Sequence, residues 1–570
     1  MTESARQVII VGKVGDNMYY TIPLGNCAVT TEMGAVVDRT VLLDGENLTL
    51  EEVDAVARHG AAVELHPNPK VRERIQASCD LNERMLQAGL PVYGVTTGFG
   101  DSVNRQVGLD KAYRVPEFEI RKNGCGRGPY LPEQQARAVV LARTNCLVRG
   151  NSAVRLKLIE NLLALLNRRI TPCIREIGSV GASGDLIPGS YIAATLMGTR
   201  EVYYNGDIVP AIDALTAEGI DPLVLGPKEG LAMTNGTQFM TGLGSLVAWD
   251  AAEVARVADI CSAMAVEVLG GVTGPFHPFL QRQKPHPGQS QSAEHILRLL
   301  EGSSLARDYS KVVQGLGTME KGFRILPIRI QDRYSLRCAP QFIGALYDCI
   351  EWVDRWLKVE LNSSNDNPLY DVETGTVHSG GNFTGGHVSL AMDTLRTALA
   401  SVGDLIDRQF AQLVDDKFSN GLPPGLIHPL PLGHVDEGIY HGFKGMQLLM
   451  SSLVAEALQR CVPMTIFSRS TAAHNQDKVS MGTTSARISR EVLALVEEAL
   501  AVHLIGLCQA ADIRGAKGLG RTRPVYELVR SVSAYVETDR ELEQDISSVL
   551  ALIRSRRITG SVSGLLSNAS

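Results

Sequence analysis

The stretch Ile177-Gly-Ser-Val-Gly181-Ala182-Ser183-Gly184-Asp185-Leu186 gathers small residues around a serine and a carboxylate, a composition suited to a tight loop whose glycines permit positive φ. It is not a hydrolase elbow, because Gly181-Ala182-Ser183-Gly184 is one residue short of G-x-S-x-G. No P-loop is present, and Gly124-x-Gly126-x-Gly128 follows no strand-like run, which argues against a nucleotide site. The 12 histidines form no H-x-x-x-H or H-x-H pair, so no metal site is expected. The 10 cysteines contain no C-x-x-C, and their scatter suits reduced thiols in a cytoplasmic protein. Further loops at 93–100, 233–244, 362–368, 378–387 and 418–431 hold Asn, Arg, Tyr and Gln amid Gly and Pro. Loops of this kind at the ends of rigid helices are where chemistry is best placed.

The elements that must position them read as mainly α. Apolar residues recur at spacings of three and four in 340–361 (Phe342, Leu346, Ile350, Val353, Leu357) and in 388–413 (Leu395, Leu399, Val402, Ile406, Phe410). A third such segment, 484–514, carries Ile488, Val492, Leu495, Ala499, Val502 and Ile505. Helices of this length imply an elongated bundle of long antiparallel helices. Strand-like runs are short: Val8–Val11, Tyr19–Ile22 and a hairpin with a primed turn at Asn205-Gly206. Thr49-x-x-Glu52 is a capping box opening a helix that stops at Gly60.

A length of 570 residues suits two or three domains or one extended architecture. The expected division is an N-terminal extension (1–40), an N-terminal domain bearing the Ala-Ser-Gly loop (41–220), a long-helix bundle (221–540) and a C-terminal tail (541–570). With 44% apolar and 21% charged residues, disorder is excluded. A net charge of −7 provides no basic excess for nucleic acid or anionic membrane. The N-terminus does not read as a secretory signal, and no run approaches the ~18 apolar residues of a membrane span.

Taken together, Gly178–Leu186 and seven further blocks in the same order resemble the histidine, phenylalanine and tyrosine ammonia-lyases. The blocks are Tyr93–Gly100, Lys228–Thr237, Lys284–Gln289, Gln331–Arg337, Glu360–Pro368, Gly380–Phe383 and His474–Asp477. The resemblance implies the fumarase/aspartase-like helical fold and a prosthetic electrophile made from the chain itself. In that family the glycine nitrogen attacks the alanine carbonyl, and loss of two waters yields 4-methylidene-imidazol-5-one (MIO). Here Ala182, Ser183 and Gly184 would form it, without metal or nucleotide, and Ser183 would supply the methylidene carbon. The resemblance makes Tyr93 the base that takes the β-proton and Arg337 the partner of the substrate carboxylate. Tyr334, Asn235, Gln331 and Asn367 would position the amine and the MIO oxygen. Phe383 would pack beside the ring, and Lys444 would join the same network. It also implies a homotetramer with shared active sites.

For the substrate, the histidine-specific branch carries a glutamate where Gln476 stands, so an uncharged amide suits phenylalanine or tyrosine better. The ring-end pair usual in aromatic ammonia-lyases is replaced by Lys122-Asn123, and the usual Gln-x-Asn-Leu lead-in is missing. A buried unpaired amide is costly, so Asn123 is expected to favour a ring-oxygenated substrate, with phenylalanine also turned over. The expected reaction is elimination of ammonia to an arylacrylate. An aromatic 2,3-aminomutase and a histidine ammonia-lyase share the motifs and stand as alternatives.

Overall fold

Eight helices frame the loops of interest in the computed structural model, which describes residues 40–566. They are α1 (Val115–Lys122), α2 (Leu186–Leu196), α3 (Glu229–Thr234), α4 (Gln238–Val268), α5 (Ala339–Leu361), α6 (Gly386–Val414), α7 (Lys444–Gln459) and α8 (Gly482–Arg514). The three periodic segments are thus α5, α6 and α8, which pack with α4 into the elongated bundle. The capping box holds: Thr49 accepts from the Glu52 amide, and Gly60 ends that helix in the left-handed conformation. The hairpin Glu201–Tyr204/Asp207–Pro210 turns at Asn205 and Gly206, both at positive φ. The two N-terminal strand-like runs lie outside the described residues.

Among the described residues, β structure is confined to sheets of two or three strands. One of these pairs Arg127–Tyr130 antiparallel to Arg175–Ile177 and leads directly into the Ala-Ser-Gly loop. The apolar core is continuous from Val41 to Leu566 and crosses residue 220 without interruption. Residues beyond 541 also join it: a helix at Glu543–Arg554 buries Val549, Leu552 and Ile553. No described helix is long and apolar enough to cross a membrane.

The longest element missed by periodicity is α4, whose residues 238–244 fall within the expected loop 233–244. Nearly every one of its 31 residues is buried. A helix surrounded by other helices is apolar on all faces, so its sequence loses the alternation that marks a half-exposed helix. Its buried acids are paired rather than bare. Asp259 accepts from Ser292 at 2.5 Å and from Tyr347 at 2.9 Å, and lies 2.8 Å from His295 Nδ1. Burying such groups without partners would cost several kcal/mol each.

A second polar chain holds the short helical turn Tyr334–Arg337. Gln409 on α6 donates to Ser335 O at 2.9 Å and to Ser262 Oγ of α4 at 3.0 Å. Gln412 donates to Ser335 Oγ at 2.5 Å. Gln409 Oε1 in turn lies 3.1 Å from Nε2 of His503, on α8. Burial pushes His503 down to about 3, so the folded protein keeps it neutral. The unfolded chain takes up a proton below pH ~6.5. Stability from this residue is therefore complete above that pH and is lost as pH falls toward 3, by the order of a few kcal/mol. Burial acts in the opposite sense on the carboxyls of Glu119 and Glu360, both raised to about 7. The test is therefore a difference: urea midpoints between pH 7 and 4 should fall more steeply in wild type than in His503→Gln. Parallel curves would contradict the assignment.

Candidate active site

The Ala-Ser-Gly loop is pinned on three sides. Gly184 adopts φ +71°, where a Cβ would overlap the Gly236 carbonyl, so only glycine fits. The two segments exchange backbone bonds: Asp185 N donates to Gly236 O at 2.6 Å, and Gly236 N donates to Ser183 O at 3.2 Å. Asn235 Nδ2 also donates to Ser183 O, at 3.0 Å. One carbonyl oxygen thus receives two N–H donors, an arrangement that stabilises negative charge developing there.

Asp185 is the anchor, and sequence reading gave it no role. It precedes α2, yet its carboxylate makes no side-chain bond within that helix. Instead Oδ2 accepts from Phe239 N at 2.9 Å and Met240 N at 3.0 Å, the free amides at the start of α4. Oδ1 accepts from Ser179 Oγ at 3.1 Å and from Thr483 Oγ1 at the start of α8. A helix N-terminus favours an anion, but complete burial outweighs the donors and raises the carboxyl to about 6. The loop's outer edge is held by α8's approach: Met481 N donates to Val180 O at 3.0 Å, and Ser480 Oγ to Gly181 O at 3.2 Å.

Gln476 reaches the serine itself. Its Nε2 donates to Ser183 Oγ at 3.0 Å while its Oε1 accepts from Thr471 Oγ1 at 2.7 Å. Tyr93 is half-buried on a neighbouring loop, and its phenol oxygen accepts from Gly100 N at 3.1 Å. The side chains nearest Gly100 are Asn475 and Ala472, so this loop abuts the turn that carries Gln476. Beneath Gly236 lies a further polar layer. Arg143 donates to Asn365 Oδ1 at 3.1 Å, and Thr237 Oγ1 to Glu360 Oε1 at 2.6 Å. Arg143 carried no motif signal: it lies on the helix Glu133–Val148, where every residue from Ala136 to Val148 is buried.

One chain does not bring all the expected residues together. Tyr334 is 70% exposed, and the Arg337 guanidinium lies 4.6 Å from its ring centroid. Gln331, with its amide oriented oxygen-inward, accepts from that guanidinium. Ser335 is tied to the level of Ser262, 22 residues along α4 from Met240, where Asp185 docks. At 1.5 Å per residue this separates the Ser335 turn, which carries Arg337, from the Asp185 anchor beside Ser183 by about 33 Å along the bundle. Asn367 is buried and accepts from Gly380 N at 2.7 Å. Phe383, three residues after Gly380, is half-buried, and Lys444 is exposed at the start of α7. The ring-end pair also divides. Asn123 is buried, but Lys122 is exposed and places its ammonium 4.2 Å from the Phe99 ring centroid, on the Tyr93 loop.

The start of the central helix α4 thus abuts a glycine-clamped Ala-Ser-Gly turn at one end of a long-helix bundle. Residues 48–531 match the family model described as aromatic amino acid lyase. The chain is 38% identical over 522 residues to a histidine ammonia-lyase of Caldanaerobacter subterraneus subsp. tengcongensis, covering 91% of this chain and 97% of that one. A tyrosine aminomutase from Streptomyces globisporus superposes with TM-score 0.88 at 37% identity, covering 93% of this chain and 99% of that one. The Pantoea agglomerans phenylalanine aminomutase does so with TM-score 0.85 at 36% identity, covering 90% and 98%. The chain therefore belongs to the aromatic amino acid lyase family and is a carbon–nitrogen ammonia-lyase. These relatives favour the histidine-lyase and aminomutase alternatives over the phenylalanine/tyrosine lyase expected from Gln476.

Proposed function

We propose that the protein eliminates ammonia from an aromatic L-amino acid with a polar ring end, using an MIO group condensed from Ala182, Ser183 and Gly184. The observation that carries this reading is the Ser183 junction, with two donors on its carbonyl, Gln476 on its hydroxyl and a neighbour that tolerates no side chain. The residues fit the group. Gly184 has no Cβ to hinder approach of its nitrogen to the Ala182 carbonyl, and Ser183 has a β-hydroxyl to lose. Asn235 and Gly236 already hold the oxygen that condensation retains. Such a group supplies the electron sink that an α-amino acid needs to lose a weakly acidic β-proton and a poor leaving group.

The other roles belong to side chains. Tyr93 takes the β-proton, and the Gly100 N–H bonded to its oxygen at 3.1 Å holds the phenol in position for that transfer. Tyr93→Phe should lower kcat by about a hundred- to ten-thousand-fold with little change in KM. A KM effect without a kcat effect would assign Tyr93 to binding instead. Arg337, with Tyr334 and Gln331, receives the substrate carboxylate, and the separation of about 33 Å supports their coming from another copy of the chain. Asn367, Phe383 and Lys444 complete the site in the same assembly. Phe323 (87% exposed), Leu432 (97%) and Val435 (89%) are apolar groups that such self-association would cover.

Gln476 has both ends of its amide engaged and offers no charge to an imidazolium, which supports a tyrosine-like substrate. Histidine is the second reading, supported by the relatives named histidine ammonia-lyase at 36–38% identity. Incubation with tyrosine, phenylalanine and histidine in turn, followed by mass identification of products, tests the proposal. An arylacrylate is expected from tyrosine. A β-amino acid as the main product identifies an aminomutase, and turnover of histidine alone moves the assignment to the second reading.

A further inference from the structure

Arg143 is a buried charge without a counter-ion. Its side chain, on the helix Glu133–Val148, is 0% exposed. Among the described residues the guanidinium meets only neutral oxygens. Nη1 donates to Asn365 Oδ1 at 3.1 Å and to Gln238 Oε1 at 3.4 Å, and Nη2 donates to Ala232 O. Nε has no partner. Two other cations buried as deeply are ion-paired, Lys228 with Asp366 at 2.5 Å and Arg396 with Asp393 at 2.6 Å. Taking a guanidinium out of water with no carboxylate to meet it is costly. Departures of this kind from what stability favours are concentrated where a charge serves function.

The charge stands directly behind the clamp on Ser183. Gly236 adopts φ +137°, and a Cβ there would fall 2.3 Å from Arg143 Nη1 and 2.5 Å from Asn365 Oδ1. Only glycine lets the guanidinium press against this peptide. The Gly236 N–H is one of the two donors on Ser183 O, which puts Nη1 within about 8 Å of that oxygen. The other donor, Asn235, ends the helix α3 whose Ala232 carbonyl Arg143 holds. On the far side Asn365 Oδ1 also accepts from Thr237 N at 3.4 Å. Arg143 thus grips the chain before and after Asn235-Gly236. None of the acids in this layer is bound to it. Asp366 is taken by Lys228 and by Ser152 Oγ at 2.8 Å. Burial raises Glu360 to about 7 and Asp185 to about 6, which lessens the negative charge each holds near neutral pH.

We propose that Arg143 is a positioning residue whose buried charge, acting through the Gly236 peptide, stabilises negative charge that develops on Ser183 O when a nucleophile adds to the group condensed there. This rests on the MIO reading and adds to it a residue that touches neither the group nor the substrate. A positive charge behind an N–H donor polarises it toward the oxygen, and a dry layer leaves that field largely unscreened. At an effective dielectric of ~20, one unit charge at that distance corresponds to a rate factor of about thirty.

The test reads the reactivity of the group itself rather than turnover. Full-length wild type, Arg143→Met and Arg143→Lys are treated with borohydride, an anion, and separately with neutral hydroxylamine. Additions are timed by intact mass on molecules that carry the two-water deficit. Borohydride delivers a hydride to the methylidene carbon, the displaced electron pair moves toward Ser183 O, and solvent supplies the proton. Hydroxylamine bonds through nitrogen to the same carbon and brings its own proton. Arg143→Met should slow both additions about thirtyfold. Arg143→Lys keeps the charge without the fork of donors and should recover most of that loss. Wild-type rates in Arg143→Met overturn the proposal, as does slowing of borohydride alone, which would reflect attraction of anions. Arg143→Lys as slow as Arg143→Met also overturns it, since hydrogen bonding rather than charge would then be at work. A folded Arg143→Met without the deficit does the same, because the residue would then serve condensation. Circular dichroism checks folding, and if Arg143→Met does not fold, Arg143→Gln is judged by the same outcomes. Active wild type without the deficit removes the MIO reading itself, a failure distinct from unchanged rates in molecules that carry it.

Discussion

Ser183→Ala should fold like the wild type and lose at least about four orders of magnitude in turnover, the scale expected when the group that carries the chemistry is removed. Folding should survive because the hydroxyl is held by a single bond, from Gln476 Nε2 at 3.0 Å, on a half-buried side chain. Losing one such bond costs about 0.5–1.5 kcal/mol. The clamp around the turn remains, because it is made by backbone atoms and by Asp185 against the start of α4. Turnover, by contrast, depends on a β-hydroxyl that alanine lacks. Intact mass supplies the second readout. Active wild-type protein should weigh less than its unmodified sequence by two waters, and the variant should not show that deficit. Substantial turnover by Ser183→Ala, or active wild type at the unmodified mass, would falsify the MIO proposal.

Mixed assembly gives the other large effect. Arg337→Ala alone should reduce kcat/KM by about a hundred- to thousand-fold, because a guanidinium pairing a carboxylate is worth several kcal/mol when desolvated. Its defect and that of Ser183→Ala lie about 33 Å apart within one chain, measured along α4. If each site draws Ser183 from one copy and Arg337 from another, mixed oligomers of the two nearly inactive variants contain some sites with both residues intact. Equal co-expression should restore roughly a quarter of wild-type activity, since each half is intact in half of the copies. The double variant, Ser183→Ala with Arg337→Ala in the same chain, supplies no intact half and should stay inactive when mixed with itself. No recovery from mixed oligomers, verified as mixed by mass, would mean that one chain brings the two sets together by another route.

Elements whose signals are local were legible along the chain. Thr49 and Glu52 lie within one turn of each other, Asn205-Gly206 needs only its own φ angles, and α5, α6 and the first half of α8 keep a partly exposed face that preserves a period of 3.6. The Ala-Ser-Gly loop with its glycines belongs to this group, and so does the family resemblance of the blocks around it. The tertiary structure alone decided what those elements meet. It set α4 at the centre, where burial on every side erases its periodicity. It turned the Asp185 carboxylate away from its own helix to cap another, and it put Glu119 against Thr234, 115 residues away in sequence. It also parted Arg337 from Ser183. A chain records its backbone preferences within a few residues, but the partner of a buried charge is chosen by packing between distant segments, where the cost of an unpaired polar group selects one arrangement over the others.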